Sequence, residues 1–455
     1  MKLFQSVLLA AAAVSQCVHA FSISSAAAAT PAKALSDNEP LAKVWTVSGA
    51  TALTSLHLQT LGRVFVEYDA SIATSDSATL ATVVLSGNST ALLDAFEVIN
   101  VEDNAEAIQL HMKNNNFEGQ GFLLTRVTVA NKQTLQSLNV AWSSDTIVGD
   151  DVLVTNNATG SLSVSLTGSA DVFVGSEDAT WSVGTLSTSI SGSGRVQVVA
   201  KSLSANEVAL TIGGSGDLAV VTDEAKIKDT LVSAVAGSGD ITFQSGNLEV
   251  YNLTTAIAGS GDVTYSEKGT CHDQTIALAG SGDTTGNLSV ASIFGNDVKY
   301  YGATPSSISV SGLFNFRGSH KNTQKVVKEA KRNAYNIYDV EPVPKQTPVY
   351  VLVKTSASFF SDEPKIRYDL TLDTYDAESV EEFLDRQNSV FHAVAMNHVQ
   401  NAMQMTMALQ NTAQTMTAPH GFTLFAAVGG ALVAVGVAAA KYKNHRERQQ
   451  YQPLV

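Results

Sequence analysis

The sequence has few cysteines, few charged residues and few aromatic residues, and each shortage excludes a class of protein. Only 2 of the 455 residues are cysteine, and Cys17 lies in a segment that we predict to be removed. The remaining Cys271 cannot form an internal disulfide or a thiolate metal cage. Charged residues make up 15% of the chain and aromatic residues 7%. A chain so rich in Ser, Thr, Ala, Val and Gly favours short strands and tight turns over helical bundles.

Basic residues are also scarce relative to acidic ones. The chain has 28 Lys and Arg against 42 Asp and Glu, so its net charge is −14. An acidic protein of this kind is a poor partner for nucleic acid and for anionic lipid surfaces. No phosphate-binding loop, serine-nucleophile motif or paired-histidine motif is present. The sequence therefore predicts no cofactor, no metal and no catalytic residue.

What the sequence has instead is a repeated phrase, Gly-Ser-Gly-Asp, between residues 166 and 283. Its six exact or degenerate copies begin at Gly168, Gly192, Gly214, Gly237, Gly259 and Gly280. The steps between them are 24, 22, 23, 22 and 21 residues, a period typical of solenoids. Aliphatic residues recur two positions before each first glycine, and apolar residues recur four and six positions after every first glycine but the last, where Thr284 breaks the pattern. Because alternate residues of a strand share a face, this pattern predicts a mainly β protein built as a single-stranded parallel β-helix with buried apolar columns.

The fourth position of the phrase predicts a column of carboxylates along one edge of that helix. Its members are Asp171, Asp217, Asp240, Asp262 and Asp283. Carboxylates about 5 Å apart in water repel one another by roughly 1 kcal/mol, which an exposed edge tolerates. An aspartate in a turn also accepts hydrogen bonds from backbone amides, so a structural corner is the first interpretation. A calcium ladder and an acidic catalytic cluster are the alternatives, and Arg195 interrupts both.

The repeated phrase, together with residues 298–305 and 308–312, resembles the putative auto-transporter adhesin, head GIN domain family. The resemblance covers about residues 41–318, and the chain departs from the pattern at Ala170, Arg195 and Leu313-Phe314. Members of that family are surface or secreted proteins, mostly bacterial, and are built as right-handed β-helices. The resemblance therefore implies a right-handed β-helix with a role in adhesion, and it implies no catalytic residues.

The two ends of the chain predict a type I single-pass membrane protein. Residues 1–20 have the pattern of a secretory signal peptide, and residues 421–440 are uncharged and long enough for a transmembrane helix. A basic tail at residues 441–455 then indicates a cytoplasmic C-terminus. Between these ends, the remaining predicted segments are a disordered leader at 21–40, the β-helix domain at 41–318, a basic segment and linker at 319–345, and a small α+β or stalk region near the membrane at 346–418.

Three shorter motifs suggest how such a protein would be modified, paired and sorted. Glycosylation sequons begin at Asn88, Asn157, Asn252 and Asn287. Small residues at four-residue steps in the predicted transmembrane helix would permit self-association, and they are Ala426, Gly430, Ala434 and Ala438. The tail residues Tyr451 to Leu454 match a tyrosine-based sorting signal.

Together these features predict a non-enzymatic cell-surface glycoprotein that binds an extracellular glycan or protein through the aspartate edge of its β-helix. The plasma membrane is the predicted location, with the endolysosomal membrane as the alternative. Two other functional classes stay open. One is a polysaccharide-acting enzyme that uses the aspartate column, and the other is a trafficking or cargo receptor that uses the tyrosine-based tail signal.

Overall fold

The computed structural model describes residues 21–25, 28, 36–73, 78–113, 116–265, 268–286, 288–290, 299–302, 338–357 and 364–387. The predicted signal peptide, Asn287, the transmembrane segment and the tail lie outside these residues. Within them no helix is long and apolar enough to cross a membrane. The chain divides into two units, residues 1–376 and residues 377–455. In the second unit residues 377–387 are helical, with Arg386 bonded to Glu382 at 2.6 Å.

The first unit is almost entirely β. Its strands are β1 Phe21–Ser25, β2 Leu41–Gly49, β3 Ser55–Thr60, β4 Arg63–Tyr68, β5 Thr79–Gly87, β6 Phe96–Val101, β7 Asn104–Met112, β8 Glu118–Val129, β9 Ser137–Trp142, β10 Asp145–Val148, β11 Asn156–Gly168, β12 Asp171–Gly192, β13 Arg195–Ile212, β14 Asp217–Gly237, β15 Ile241–Gly259, β16 Val263–Tyr265, β17 Gly269–Gly280, β18 Thr284–Thr285, β19 Ser289–Val290, β20 Lys299–Gly302, β21 Val349–Ala357 and β22 Pro364–Leu372. A 3₁₀ turn at Ala70–Ile72 and the short helix α1, Thr90–Asp94, complete the described elements of this unit.

From β9 to β20 the chain winds as a parallel β-helix, which confirms the predicted architecture. After each glycine corner, a coil adds a strand to sheet 1, then to sheet 2, then to sheet 3, and reaches the next corner. Sheet 1 contains β8, β4, β10, the starts of β12 to β15, and β16 and β18. Sheet 2 contains the start of β11, the middles of β12 to β15, the start of β17, and β19. Sheet 3 contains β7, β3, β9, the ends of β11 to β15 and of β17, and β20.

Ladders of like apolar side chains fill the interior, as the repeat predicts. The position four residues after the first glycine forms the buried column Val172, Val196, Leu218, Ile241 and Val263. The position six residues after it forms the buried column Val174, Val198, Val220, Phe243 and Tyr265. Along each column, a side chain packs against its counterparts in the coils on either side. The stability of a coil therefore depends on its neighbours.

Cys271 belongs to a third buried column, in sheet 2. Its backbone pairs with that of Val250, which in turn pairs with Ile227, and all three side chains are buried. Burial raises the pKa of the Cys271 thiol to about 12. The thiol therefore stays protonated and unreactive at neutral pH, and the residue serves as a small apolar side chain in the core.

The N-terminal end differs from the prediction that residues 41–318 form one regular β-helix. There the coils stack out of chain order, because β8 lies beyond β4 and β7 lies beyond β3. An antiparallel layer of β5, β2 and β1 extends sheet 1 from the other edge of β8, and β6 extends sheet 3 from β7. Antiparallel strands can be joined by short turns, whereas each parallel pair requires a full coil. This region also lacks the regular glycine phrase that makes the corners of the later coils.

Residues 21–40 were predicted to be a disordered leader, and the structure corrects this at both ends of the segment. β1 pairs antiparallel with β2 and buries Phe21. Glu39 is 2% exposed and accepts hydrogen bonds from Arg126, at 2.9 Å, and from the Ser86 hydroxyl. Composition alone could not predict this ordered structure, because the partners of Glu39 lie on β5 and β8 and are distant in the sequence.

The region predicted to be a small α+β or stalk region near the membrane contains β21 and β22, and these strands belong to the N-terminal sheet. They pair antiparallel with each other, and β21 pairs in addition with β8, where Val349 lies opposite Leu123. These two strands are therefore not separate from the β-helix domain. The alternation of residues within a strand contains no information about a partner so distant in the chain.

Candidate binding surface

Glycine forms the corners of the coils because no side chain fits there. Gly237 has φ +153°, and a Cβ atom at this position would overlap the carbonyl oxygen of Gly214 in the preceding coil. The same arrangement recurs at Gly192, Gly214, Gly259 and Gly280. Stacked corners bring one backbone directly onto the next, so the repeated glycine is a requirement of the stacking.

The predicted aspartates lie in register beside these corners, and each carboxylate of the regular ladder binds the next coil. The Oδ1 atom of Asp217 accepts a hydrogen bond from the Asp240 amide at 3.0 Å. Asp240 accepts from the Asp262 amide, and Asp262 from the Asp283 amide, both at 2.7 Å. Asp171 accepts from the Arg195 amide at 3.1 Å. Each of these carboxylates therefore links its own coil to the next one. The contact resembles an Asx turn, except that the amide donor belongs to the neighbouring coil.

Sequence reasoning missed two earlier copies of the corner. Residues 142–145 read Trp-Ser-Ser-Asp and residues 60–63 read Thr-Leu-Gly-Arg, and both lie in register with the later corners. Trp142 takes the place of the first glycine, with φ +76°. Aliphatic residues at the flanking positions, Val140 and Val148 for the first copy, could have revealed these coils even though the glycines are absent.

With these copies, the corner column contains two arginines among six aspartates. In spatial order its members are Arg63, Asp145, Asp171, Arg195, Asp217, Asp240, Asp262 and Asp283. Burial, reinforced by the negative charge of Asp171, raises the pKa of Asp145 to about 6, although Arg63 opposes that rise. Burial also raises the pKa of Asp171 and Asp240. Among the described residues, no three His, Cys, Asp or Glu side chains converge as a metal site.

The outer surface of sheet 1 is crossed by residues 338–348, which we call the strap. It starts at β15, where the Tyr338 amide donates to Gln244 Oε1 at 2.7 Å. It then passes β13, where Gln197 Oε1 accepts from the Glu341 amide at 2.8 Å and Gln197 Nε2 donates to the Glu341 carbonyl at 3.1 Å. Residues 338–345 were predicted to be part of a linker, and the structure shows instead that they are fixed to the β-helix.

Two arginines of the corner column bind the strap, one at Glu341 and the other near the C-terminal end of the strap. Arg195 forms an ion pair with Glu341. Arg63, which is buried, donates to the Lys345 carbonyl at 3.1 Å and to Thr347 Oγ1 at 3.2 Å, and it pairs with Asp373 at 2.7 Å. The two arginines of the otherwise acidic column therefore bind the strap, in addition to Gln197 and Gln244.

An apolar cluster lies on the outer side of sheet 1, apart from the main core. It consists of Phe65, Leu124, Ile147 and Phe173, all of which are buried. Phe65, Ile147, Phe173 and Gln197 are in register along one outward column. Because the strap binds β13 and then β4, it crosses the coils between them that contain this cluster.

Two outward columns of sheet 3 are different, because their side chains are small and uncharged in the regular coils. The charged residues Glu207 and Asp273 lie beside these columns, where the strands of sheet 3 begin. The outward positions between the buried columns are Ser163, Ser165, Ser187, Ser189, Ala209, Thr211, Val232, Ala234, Thr254, Ala256, Thr275 and Ala277. All of them are at least partly exposed. The result is a flat surface that is rich in hydroxyl groups at one end and in alanine at the other.

The described sequon residues lie on the surface. Asn88 and Asn157 are exposed, and Asn252 is partly exposed. Asn157 Oδ1 accepts from the Thr159 hydroxyl at 3.1 Å and from the Gly160 amide at 3.0 Å. The sorting residues Tyr451 and Leu454 and the small-residue motif of the predicted transmembrane helix fall outside the described residues.

Comparisons with known proteins give similarity in structure only. No protein-family model and no curated protein matches the sequence, so the resemblance to the head GIN domain family stays a prediction. A "putative adhesin" from Bacteroides fragilis is 15% identical, with a TM-score of 0.37 over 58% of this chain and 96% of that one. A "putative lipid binding protein" from Parabacteroides distasonis is 16% identical, with a TM-score of 0.39 over 60% and 97%. A "putative adhesin" from Parabacteroides merdae is 10% identical, with a TM-score of 0.38 over 60% and 96%. The β-helix rests on this chain's own strand pairing, and we draw no functional argument from these similarities.

Proposed function

We propose that this chain is a single-pass type I glycoprotein of the cell surface that binds an extracellular ligand through its β-helix and catalyses no reaction. The observation that carries the proposal is the exposed outer surface of sheet 3. Two of its outward columns repeat small, uncharged side chains over successive coils. A surface of this kind can contact an extended ligand at many equivalent positions, each of which contributes weakly.

The aspartate column supports binding rather than catalysis. In the regular ladder, one oxygen of each carboxylate from Asp217 to Asp262 accepts a backbone hydrogen bond from the next coil. A general acid or nucleophile would need a carboxylate free to change its protonation state or to attack. An enzyme acting on polysaccharide would lose turnover in an Asp240→Asn, Asp262→Asn double variant. Turnover that disappears in this variant would replace our proposal.

A ligand screen on the full chain in detergent tests the binding role. We expect retention on at least one glycan or extracellular protein of an array. A Thr211→Lys, Ala234→Lys variant should reduce this retention at least tenfold, because it places charge on the outer surface of sheet 3. Asn247→Lys, an exposed change in sheet 2, is the matched control and should leave retention unchanged. No retention of the wild-type chain on any array would overturn the proposal.

Surface location and glycosylation have a separate test. The chain should be labelled by antibody on intact cells, and N-glycosidase should increase its gel mobility. Asn157→Gln should remove one step of that shift. A chain that is labelled only after permeabilisation, with no mobility change, would contradict the type I arrangement.

A further inference from the structure

The strap is bound at several points through its backbone, and this has a consequence for what sheet 1 can recognise. Gln197 accepts from the N–H group and donates to the C=O group of the same residue, Glu341. Gln244 accepts from the backbone N–H of Tyr338, and Arg63 donates to the carbonyl of Lys345. A primary amide placed to pair with both backbone groups of one residue suits an extended polypeptide, in which every residue except proline presents such a donor and acceptor.

The apolar side chains in the middle of the strap contribute little. Val343 is 52% exposed and Val340 is 37% exposed, while the surrounding prolines, Pro342 and Pro344, keep the segment extended. The side-chain contacts of the strap are polar, and they join Glu341 to Arg195, Tyr338 to Gln197, Gln346 to Glu67 and Thr347 to Arg63. The surface of sheet 1 would therefore accept extended segments that differ in their apolar side chains.

The surface that receives the strap is built for an occupant. Gln197 is only 2% exposed and Phe173 only 5%, although both point outward from the β-helix. Without the strap, the apolar cluster of Phe65, Leu124, Ile147 and Phe173 would be exposed to water. That exposure is unfavourable and favours the return of some extended chain, whereas the Gln197 amide can bond either to water or to such a chain.

We propose that the outer surface of sheet 1 is a polypeptide-binding groove, occupied in this chain by its own residues 338–348, and that an extended segment of another protein binds there when the strap leaves. This goes beyond the proposed function, which rests on sheet 3. A covalently attached strap acts at an effective concentration of roughly millimolar, so a partner of equal intrinsic affinity must exceed that concentration to displace it, and a tighter-binding partner requires less. The strap thus sets a threshold for binding.

The test uses the full chain and a fluorescent peptide with the sequence of residues 338–348. Tyr338→Pro with Glu341→Pro removes the two strap N–H donors and leaves the groove untouched. We expect the peptide at about 100 μM to bind this variant and to bind the wild-type chain at least tenfold more weakly. Adding Gln197→Ala to the variant should abolish binding.

Two outcomes of that experiment would overturn the proposal. One is a double-proline variant that folds, as judged by its circular dichroism, but binds no peptide. The other is equal binding to the variant and to the wild type. Val343→Pro is the matched control, because its N–H donates no hydrogen bond to the described residues. This variant should behave as the wild type does.

Hydrogen exchange on the unmodified chain gives a second test that requires no variant to fold. The amides of Tyr338 and Glu341 should exchange at least tenfold faster than those of Val198 and Val220 in sheet 1, because the strap opens without global unfolding. If all four exchange at the same slow rate, the strap does not leave and the groove is not available to a partner. Loss of peptide binding with retention on an array intact would overturn this inference and leave the proposed function standing.

Discussion

The regular coils from residue 168 onward and the N-terminal end before residue 148 are stabilised by different contacts. In the regular coils, each residue packs against its counterpart one coil away, and the corners repeat glycine and aspartate. At the N-terminal end, the pairs are antiparallel or out of order, and buried ions such as Glu39 and Arg126 replace part of the repeated pattern. Repetition therefore stabilises the middle of a solenoid, whereas its end requires particular partners. The predictions below test this division, from the largest expected effect to the smallest.

The largest effect should come from the glycine corner of the regular coils. Gly237→Ala should lower the free energy of unfolding by about 3 kcal/mol or more, because φ is positive and a Cβ would overlap the Gly214 backbone. Gly213→Ala is the control, since φ there is not positive and a Cβ atom would lie 3.8 Å from the nearest atom, Ile190 O. Gly213→Ala should lower the free energy of unfolding by at most about 1 kcal/mol. Urea unfolding measures the loss for each variant, and equal losses would show that the corner does not require glycine more than Gly213 does.

The ion pair of the N-terminal end should come next. Arg126→Met should destabilise the chain by about 3 kcal/mol, because it leaves the buried carboxylate of Glu39 without its charged partner. The control lies in the regular coils, where Lys226 pairs with Glu249 at 3.3 Å and both side chains are exposed. Lys226→Met should change stability by less than about 1 kcal/mol. If the two losses in thermal or urea unfolding are alike, ion pairs do not distinguish the two regions.

The junction between the two regions should show a pH-dependent effect at Asp145. Its pKa of about 6 in the folded protein lies above the ordinary value of 3.8 for an aspartate. Protonation of Asp145 thus stabilises the folded state, and its contribution to the free energy of unfolding is lost as pH rises through 6. Asp145→Asn should stabilise the chain by about 1–2 kcal/mol at pH 7 and have little effect at pH 3.5. Asparagine keeps an acceptor for the Asp171 amide, so destabilisation at pH 7 would contradict the assignment.

The smallest effect should come from the exposed part of the aspartate ladder. Asp262→Asn retains the acceptor for the Asp283 amide and should change stability by less than about 0.5 kcal/mol. Asp262→Ala, which removes that acceptor, should cost about 1 kcal/mol. Calcium and a chelator should both leave the unfolding midpoint of the wild type unchanged. A rise of several degrees with calcium would instead show that the ladder holds a cation.

The sequence predicts this molecule well wherever its partners are neighbours in the repeat. The columns through Val198 and Ile241 follow from the period alone, because each coil faces a near copy of itself. The corner at Trp142 was missed because a bulky residue occupies the glycine position, and the strap was missed because Gln197 and Gln244 have ordinary polar side chains. The period contains no information about such partners, which lie many coils away in the chain.

The position of β8 imposes an order on how the chain can fold. One edge of β8 pairs with β4, and its other edge pairs with both β5 and β21. β21 is synthesised more than two hundred residues after β8, so ribosomes must make nearly the whole β-helix before this edge can be completed. Closing a loop of that length adds only a few kcal/mol of entropy cost, but it slows the step. Until it happens, half of β8 presents unpaired backbone groups, an open edge that can capture other chains. During synthesis, the time before β21 emerges is therefore the interval in which the N-terminal end most needs protection by a chaperone.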